Sequence, residues 1–234
     1  MKKLRAWLRL IRVAALPTAL ADVWLGLAVV DQFNAPNAVA LGLISLAVYA
    51  AGMILNDAAD VEEDREHNPD RPLPSGQIPV RAAVIAGAIL LGAALAGAAA
   101  LGTRPLAVAG AVVAFVISYD LFLKDTPVGP FNMGLCRAFN VYLGMTVPAA
   151  HEADGAAVGL LAAVPIFVYI VAVTYASRHE AGRPAVRRAV ALALVAIIPF
   201  QAAVALIFWR PVAAGCIVLL LVPTLLLKNM SHVT

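Results

Sequence analysis

The sequence predicts an all-α fold: a polytopic transmembrane bundle of about eight helices, formed by residues 1–234 as one membrane-embedded domain. Three observations carry this. Of 234 residues, 62% are hydrophobic and only 13% charged, against about 45–50% and about 25% in soluble proteins, and the mean hydropathy is +0.89. The apolar residues gather into eight runs, roughly 13–30, 37–55, 81–101, 105–123, 131–149, 156–177, 189–209 and 211–227, each near the ~20 residues that cross the hydrocarbon. The basic residues then fall on one side. With loops placed alternately, that side receives Lys2, Lys3, Arg5, Arg9, Arg12, Arg65, Arg71, Arg81, Lys124, Arg178, Arg183, Arg187, Arg188 and Lys228, and the other only Arg104 and Arg210. By the positive-inside rule the richer side is cytoplasmic, and both termini lie there. A disordered chain, a disulfide scaffold and a cytosolic enzyme are excluded. The bases form no single face, so nucleic acid is not an expected partner.

The first run follows MKKLRAWLRLIR and contains Pro17 and Asp22, with no small-x-small cleavage site before Asp31; it reads as a retained helix. The second leads into a segment unlike the rest of the chain, Asn56, Asp57, Asp60, Glu62, Glu63, Asp64, Glu66 and Asp70. If the helix continues past Leu55, positions 56, 60 and 64 drift by about 40° per step with Asp57 between them, so Asn56, Asp57, Asp60 and Asp64 share a face and the three glutamates point elsewhere. Like charges so spaced destabilise a helix unless cations sit among them. Hard oxygen ligands of this kind suit Mg2+, which keeps waters and bridges to phosphate; the plainer alternative is a solvated helix end. Arg71-Pro-Leu-Pro-Ser-Gly76 follows as a rigid turn that sets a guanidinium beside the carboxylates.

The third run carries Gly92, Ala93, Ala96 and Gly97 at the spacing that lets neighbouring helices approach closely. The fourth ends in Tyr119, Asp120 and Lys124. In the fifth, Met133, Cys136, Arg137 and Asn140 form a stripe in which Arg137 needs an anion, either Asp120 or a bound diphosphate. The sixth closes on Thr174-Tyr-Ala-Ser-Arg178-His179-Glu180. Cys136 and Cys216 lie in apolar runs without metal spacing and read as buried, reduced thiols.

The string N-D-x-x-D-x-x-x-D followed by R-P-L-P-S-G resembles the first aspartate-rich motif of the UbiA family of intramembrane aromatic prenyltransferases. The resemblance implies magnesium diphosphate bound at the cytoplasmic end of the second helix, a prenyl diphosphate donor and a small-molecule acceptor, aromatic or polyol. Arg12, Pro17 and Thr18 look like the family's entry into the first helix, with Asp22 one turn on. Tyr119 and Lys124 are similar to its Tyr and Lys at the end of helix four, though one residue further apart. Gly129 to Asn140 (G-P-x-N-M-G-x-C-R-x-x-N) resembles the EboC-like branch. The resemblance implies Mg2+ on Asn56, Asp57, Asp60 and Asp64, catalytic roles for Asp60, Asp64, Lys124 and Arg178, and substrate contacts from Asp22, Asn56, Arg71, Tyr119, Arg137 and Asn140.

Two departures stand out: eight helices where the family typically has nine, and no second D-x-x-x-D motif at 174–180, where Arg178 is left to neutralise the diphosphate. Cleaving a prenyl diphosphate puts negative charge on the leaving group and positive charge on carbon. Metal and basic side chains stabilise the first, aromatic faces the second, and Tyr49, Phe115, Tyr119, Phe139 and Tyr142 lie on helices expected to line the pocket. An apolar bundle holds the tail and excludes water. A non-catalytic binder or transport component for prenylated lipids, of EboC type, is the alternative favoured by the missing motif. A phosphoalcohol transferase needs D-G-x-x-A-R, which does not occur. The Ala- and Arg-rich usage suggests a bacterial inner membrane, with the site loops cytoplasmic.

Overall fold

A computed structural model describes residues 2–147, 154–180 and 182–227. The chain enters through α1 (Lys2–Leu10), which buries Ala6 and Leu10 against the polar ends of later helices. The turn after it carries Arg12 at φ 49°, a left-handed backbone that redirects the chain into α2 (Leu16–Val29), with Pro17 in the first turn, where a missing N–H costs nothing. Asn34 caps α3 (Ala35–Ala59) by accepting a hydrogen bond from the Asn37 amide at 3.1 Å.

The acidic segment is helical, as its spacing predicts, but in two pieces. After α3 the backbone pauses at Asp60 (φ −89°, ψ 3°) and resumes as α4 (Val61–His67). Helical bonds bridge the pause, Asp60 N–H to Asn56 O at 3.0 Å and Asp64 N–H to Asp60 O at 2.8 Å, so the 56, 60, 64 register survives. Beyond the Pro72–Gly76 turn come α5 (Val80–Leu101) and α6 (Thr103–Ser118), joined at Gly102, whose φ of 130° favours glycine. A π-helical turn (Tyr119–Leu123) ends α6; α7 (Gly129–Gly144), α8 (Asp154–Ser177), α9 (Pro184–Ile207), α10 (Pro211–Leu219) and α11 (Leu221–Leu227) follow.

These elements fall at the positions of the eight apolar runs, the last run being covered by α10 and α11 in series. The ends of the fifth and sixth runs near 148–153, and Lys228, lie outside the described residues. α3, α5, α9 and α6 with its π turn are each long and apolar enough to cross a membrane. Large side chains such as Ile89, Leu192, Ile207 and Val212 stand exposed on the periphery, which a bundle immersed in lipid requires. The chain is a multi-pass integral membrane protein.

α2 is the central post. One core cluster packs it with α7, α8, α9 and α10, a second with α3, α5, α6 and α7. It meets α7 backbone to backbone: a Cβ on Gly26 would lie 2.0 Å from the Val141 carbonyl oxygen, and one on Gly144 2.2 Å from that of Val23. Of the close approach foreseen for Gly92, Ala93, Ala96 and Gly97, only Gly97 faces a neighbouring helix, where an added Cβ would meet the Ile44 side chain of α3 at 3.4 Å. Gly92, Ala93 and Ala96 are exposed, and α5 instead turns Gly87, Ala94 and Ala98 inward.

Candidate prenyl diphosphate site

At the polar end of α3, each of the four residues expected to share a face has a partner from another segment. Buried Asp57 takes Arg12 Nη2 at 3.1 Å. Asp60 holds Lys124 Nζ. Buried Asp64 accepts from Arg71 Nη1 at 2.6 Å and from Asn68 at 3.0 Å. Asn56 donates to Asp120 Oδ1 at 3.1 Å. The repulsion along the face is thus met by three cations of the protein itself. Glu62, Glu63 and Glu66 are exposed as expected, Glu62 pairing locally with Arg65. Burial works against the Lys124 ammonium, but the hydrogen bond and charge of Asp60 outweigh it and raise its pKa above the ordinary 10.5.

The π turn explains the extra residue between Tyr119 and Lys124. Its wider bond, Lys124 N–H to Tyr119 O at 2.9 Å, absorbs one position, so the Lys124 ammonium reaches Asp60 while Tyr119 stays on the chamber wall. Gly129 lets the following loop close: a Cβ there would meet the Leu123 carbonyl oxygen at 2.5 Å.

Below this charged end lies an apolar chamber of about 280 Å³, walled by Thr18, Tyr49, Met53, Tyr119, Arg137 and Tyr169 among others. A side chamber of about 70 Å³ continues from it past Tyr49 and Tyr119 to Asp120, Cys136 and Asn140. A third cavity, of about 300 Å³, opens on the polar side among Arg9, Arg12, Asp57, Arg71, Glu180 and Arg187, and shares Arg12, Ser177, Ala191 and Leu194 with the apolar chamber. An amphiphile therefore finds a charged compartment and an apolar one in continuity.

Several expectations change. The carboxylate beside Arg137 is Asp22 and not Asp120: Arg137 Nε lies 3.0 Å from Asp22 Oδ2 in an ion pair, while its Nη atoms donate to Thr18 O (2.8 Å) and Oγ1 (3.3 Å), and the side chain also lines both apolar chambers. Asp22 is fully buried, away from the chambers, and also accepts from Asn140 at 3.0 Å and from Gln201; it anchors Arg137 and is not placed to touch a substrate. Asp120 instead serves Asn56, its second oxygen buried without a partner. Arg178 does not face the acidic cluster, since it is exposed and its guanidinium donates to the Lys124 carbonyl. The side opposite Asp57 belongs to Arg187, Glu180 and Arg9. Of the five aromatic residues expected at the pocket, Tyr49 and Tyr119 line it. Phe115 and Phe139 pack edge to face at 5.0 Å between rings, Phe139 stacking on toward Tyr142, itself 42% exposed. Both cysteines are free, Cys136 buried.

Sequence reasoning did not single out Arg9 and Arg187, two among many bases at the polar end, which line the polar cavity, nor Gln201, a lone amide in an apolar helix that pairs with Asp22. Among the described residues, no three His, Cys, Asp or Glu side chains converge on one point suited to an ion.

The UbiA prenyltransferase family model matches residues 14–232. The digeranylgeranylglyceryl phosphate synthase of Sulfolobus acidocaldarius is 28% identical over 142 residues, 60% of this chain and 52% of that one, so the chain spans about half the length of that relative. A UbiA homolog from Aeropyrum pernix superposes with a TM-score of 0.65 at 20% identity, covering 92% of this chain and 87% of that one. One from Archaeoglobus fulgidus, solved with DMAPP and Mg2+, gives 0.62 at 21%, covering 96% and 86%. These relatives are archaeal synthases and homologs, so the EboC-like branch and the bacterial inner membrane find no support. The match over nearly the whole chain, with the fold it shares, settles its kinship: the chain belongs to the UbiA prenyltransferase family.

Proposed function

We propose that this chain transfers a prenyl group from a prenyl diphosphate to a hydroxyl of a glyceryl phosphate acceptor inside the membrane, using Mg2+ at the end of α3. The observation that carries the reading is the row Asn56, Asp57, Asp60 and Asp64 paired with Arg12, Lys124 and Arg71, with Arg12 lining both the polar cavity that holds Asp57 and Arg71 and the apolar chamber. The archaeal synthase relatives favour the glyceryl phosphate acceptor over an aromatic one.

The residues fit the metal. Asp60, Asp64 and the Asn56 carbonyl are hard oxygen donors, and an ion that takes its remaining ligands from water and phosphate needs no third carboxylate. When bound, magnesium neutralises the charge that develops on the leaving diphosphate. Lys124 and Arg71 are then free to turn from their carboxylates to phosphate oxygens, and Arg12 stands beside them. The C1–O bond of the donor breaks with its electron pair leaving on diphosphate, the acceptor oxygen bonds to C1, and its proton leaves to solvent. Tyr49 and Tyr119 face the allylic carbon's side of the chamber, and the apolar walls keep water from capturing the cation.

The test is diphosphate release from geranyl, farnesyl and geranylgeranyl diphosphates with a prenylated glyceryl phosphate acceptor and Mg2+. Asp60→Asn is expected to weaken metal-dependent donor binding by tens-fold, each tenfold being about 1.4 kcal/mol, whereas Glu62→Gln leaves it unchanged. Retention of prenylated lipid with no diphosphate release from any donor would support the binder reading, which the missing second acidic motif favours.

A further inference from the structure

The cavity on the polar side carries more positive charge than the donor site uses. Four guanidiniums border it, from Arg9, Arg12, Arg71 and Arg187, against two carboxylates, Asp57 and Glu180. Two of the four are matched: Arg12 by Asp57 at 3.1 Å and Arg71 by Asp64 at 2.6 Å. The other two have no carboxylate partner among the described residues. Arg9 gives one hydrogen bond, to the Asp70 backbone carbonyl at 3.2 Å, and the exposed Arg187 pairs with no acid there. They come from opposite ends of the chain, α1 and the first turn of α9, and meet across one cavity. Lys124, Asp60, Asn56 and Asp120, the other half of the charged cluster, do not border it; Asp120 borders the side chamber instead. The charged end of the protein therefore has two compartments. One is rich in carboxylate with its counter-cations, the chemistry of a metal-bridged diphosphate. The other holds, among the described residues, two guanidiniums without an ion-pair partner against the single unpaired carboxylate of Glu180, a net positive charge suited to a bare phosphomonoester, which Arg binds through its planar fork.

Resting on the reading above, we propose that Arg9 and Arg187 form a subsite for the phosphate of the acceptor, adjoining the donor's magnesium diphosphate at Arg12, Asp57 and Arg71, which border the same cavity. The wall that this cavity shares with the apolar chamber, at Ser177, Ala191 and Leu194, gives the acceptor's prenyl tail a path into the bundle while its phosphate stays outside. The same arrangement accounts for the missing second acidic motif. Acids at 174–180 facing this cavity would repel a phosphomonoester, and only Glu180 remains there.

The experiment separates donor from acceptor in the full-length protein in detergent. Binding of a non-hydrolysable prenyl diphosphate with Mg2+ is measured without acceptor, and binding of a monoprenylglyceryl phosphate, beside its phosphate-free monoprenylglycerol, is measured without donor and without metal. Arg9→Gln and Arg187→Gln are each expected to weaken the phosphorylated lipid about tenfold and the double variant more, with monoprenylglycerol and donor binding unchanged. Arg188→Gln, one position along, is the control and changes nothing. Donor affinity falling in Arg187→Gln as far as in Asp60→Asn would overturn the proposal, because the cavity would then be the donor's own site. Equal affinity of the wild-type chain for the phosphorylated and phosphate-free lipids would overturn it too. Failure of donor binding altogether, with the arginine-dependent preference for phosphate intact, would count against the transferase reading and leave the phosphate subsite standing. Thermal unfolding of each variant, unchanged from wild type, shows that a loss is one of contact and not of fold.

Discussion

Asp22→Asn tests whether the bundle is held by a charge pair at its centre. The substitution keeps shape and leaves one of the two oxygens that accept from Asn140 and Gln201, but it removes the one carboxylate beside Arg137. Asp22 is fully buried and Arg137 8% exposed, so neither water nor another acid replaces it, and breaking a buried pair from one side costs about 3–5 kcal/mol. At about 2–4 °C per kcal/mol for a chain of this size, the apparent melting temperature should fall by about 6–20 °C. Cys136 is buried one residue from Arg137, so a thiol-reactive fluorogenic dye added during heating reports the opening of this helix directly. The double variant Asp22→Asn/Arg137→Gln removes both charges and should recover at least half the loss. Asp31→Asn breaks the exposed pair with Arg210 (2.8 Å, Asp31 side chain 75% exposed) and should cost about 1 kcal/mol or less. An Asp22→Asn protein that melts with wild type, or a double variant no better than the single, would refute the assignment of Asp22 as the counter-ion.

Gly144→Ala should destabilise by about 1–3 kcal/mol, toward the upper end because its Cβ meets backbone and not a movable side chain; Gly92→Ala, in open space, should be neutral or stabilising by up to about 1 kcal/mol, and the reverse order in a melting assay would refute the packing described. The Lys124 pKa is raised on folding, so the stabilisation from its pair with Asp60 is complete below 10.5 and lost only as pH rises through the higher folded value. Lys124→Met should therefore lower the melting temperature equally at about pH 6 and about pH 9, and a penalty confined to one of them would contradict the pairing. Cysteines placed at 66 and at 104, both exposed and on opposite ends of the bundle, should be labelled by an impermeant reagent from opposite sides of sealed vesicles; labelling of both from outside would sink the topology.

How much of this was legible in the sequence follows from the range of each interaction. The helices at the eight apolar runs and the Asn56–Asp64 row were legible because apolar length and helical spacing are local properties that the bilayer and the backbone enforce. Partner choice was not. Asp22 and Arg137 lie 115 positions apart, and nothing local ranks Asp22 above Asp120 as the counter-ion; only the α2–α7 contact at Gly26 and Gly144 brings them together. The same contact misled the reading of small residues, since a small-residue stripe fits a helix neighbour and a lipid face equally well until the bundle is assembled. Arg178 was singled out for its place in a sequence pattern, yet its guanidinium donates to the Lys124 backbone carbonyl and pairs with none of the cluster's carboxylates. Arg187 sits one turn into the next helix, on the side that borders the cavity.

The ligand-free pairing constrains how the site works. Each acidic group at the end of α3 already holds a cation, and each cation is tethered by a different segment: Arg12 by the turn before α2, Arg71 by the proline-rich turn, Lys124 by the π turn. On the proposed function, a diphosphate bound together with magnesium would offer the carboxylates a cation and the basic groups an anion in the same event, so the exchange would conserve charge pairs. Either component alone would strand one side: a cation on the carboxylates without diphosphate would leave Lys124 and Arg71 without their partners, and diphosphate without a cation would meet Asp57, Asp60 and Asp64. Donor and metal should therefore bind with strong mutual dependence, and by thermodynamic reciprocity the factor by which Mg2+ tightens the donor equals that by which the donor tightens Mg2+.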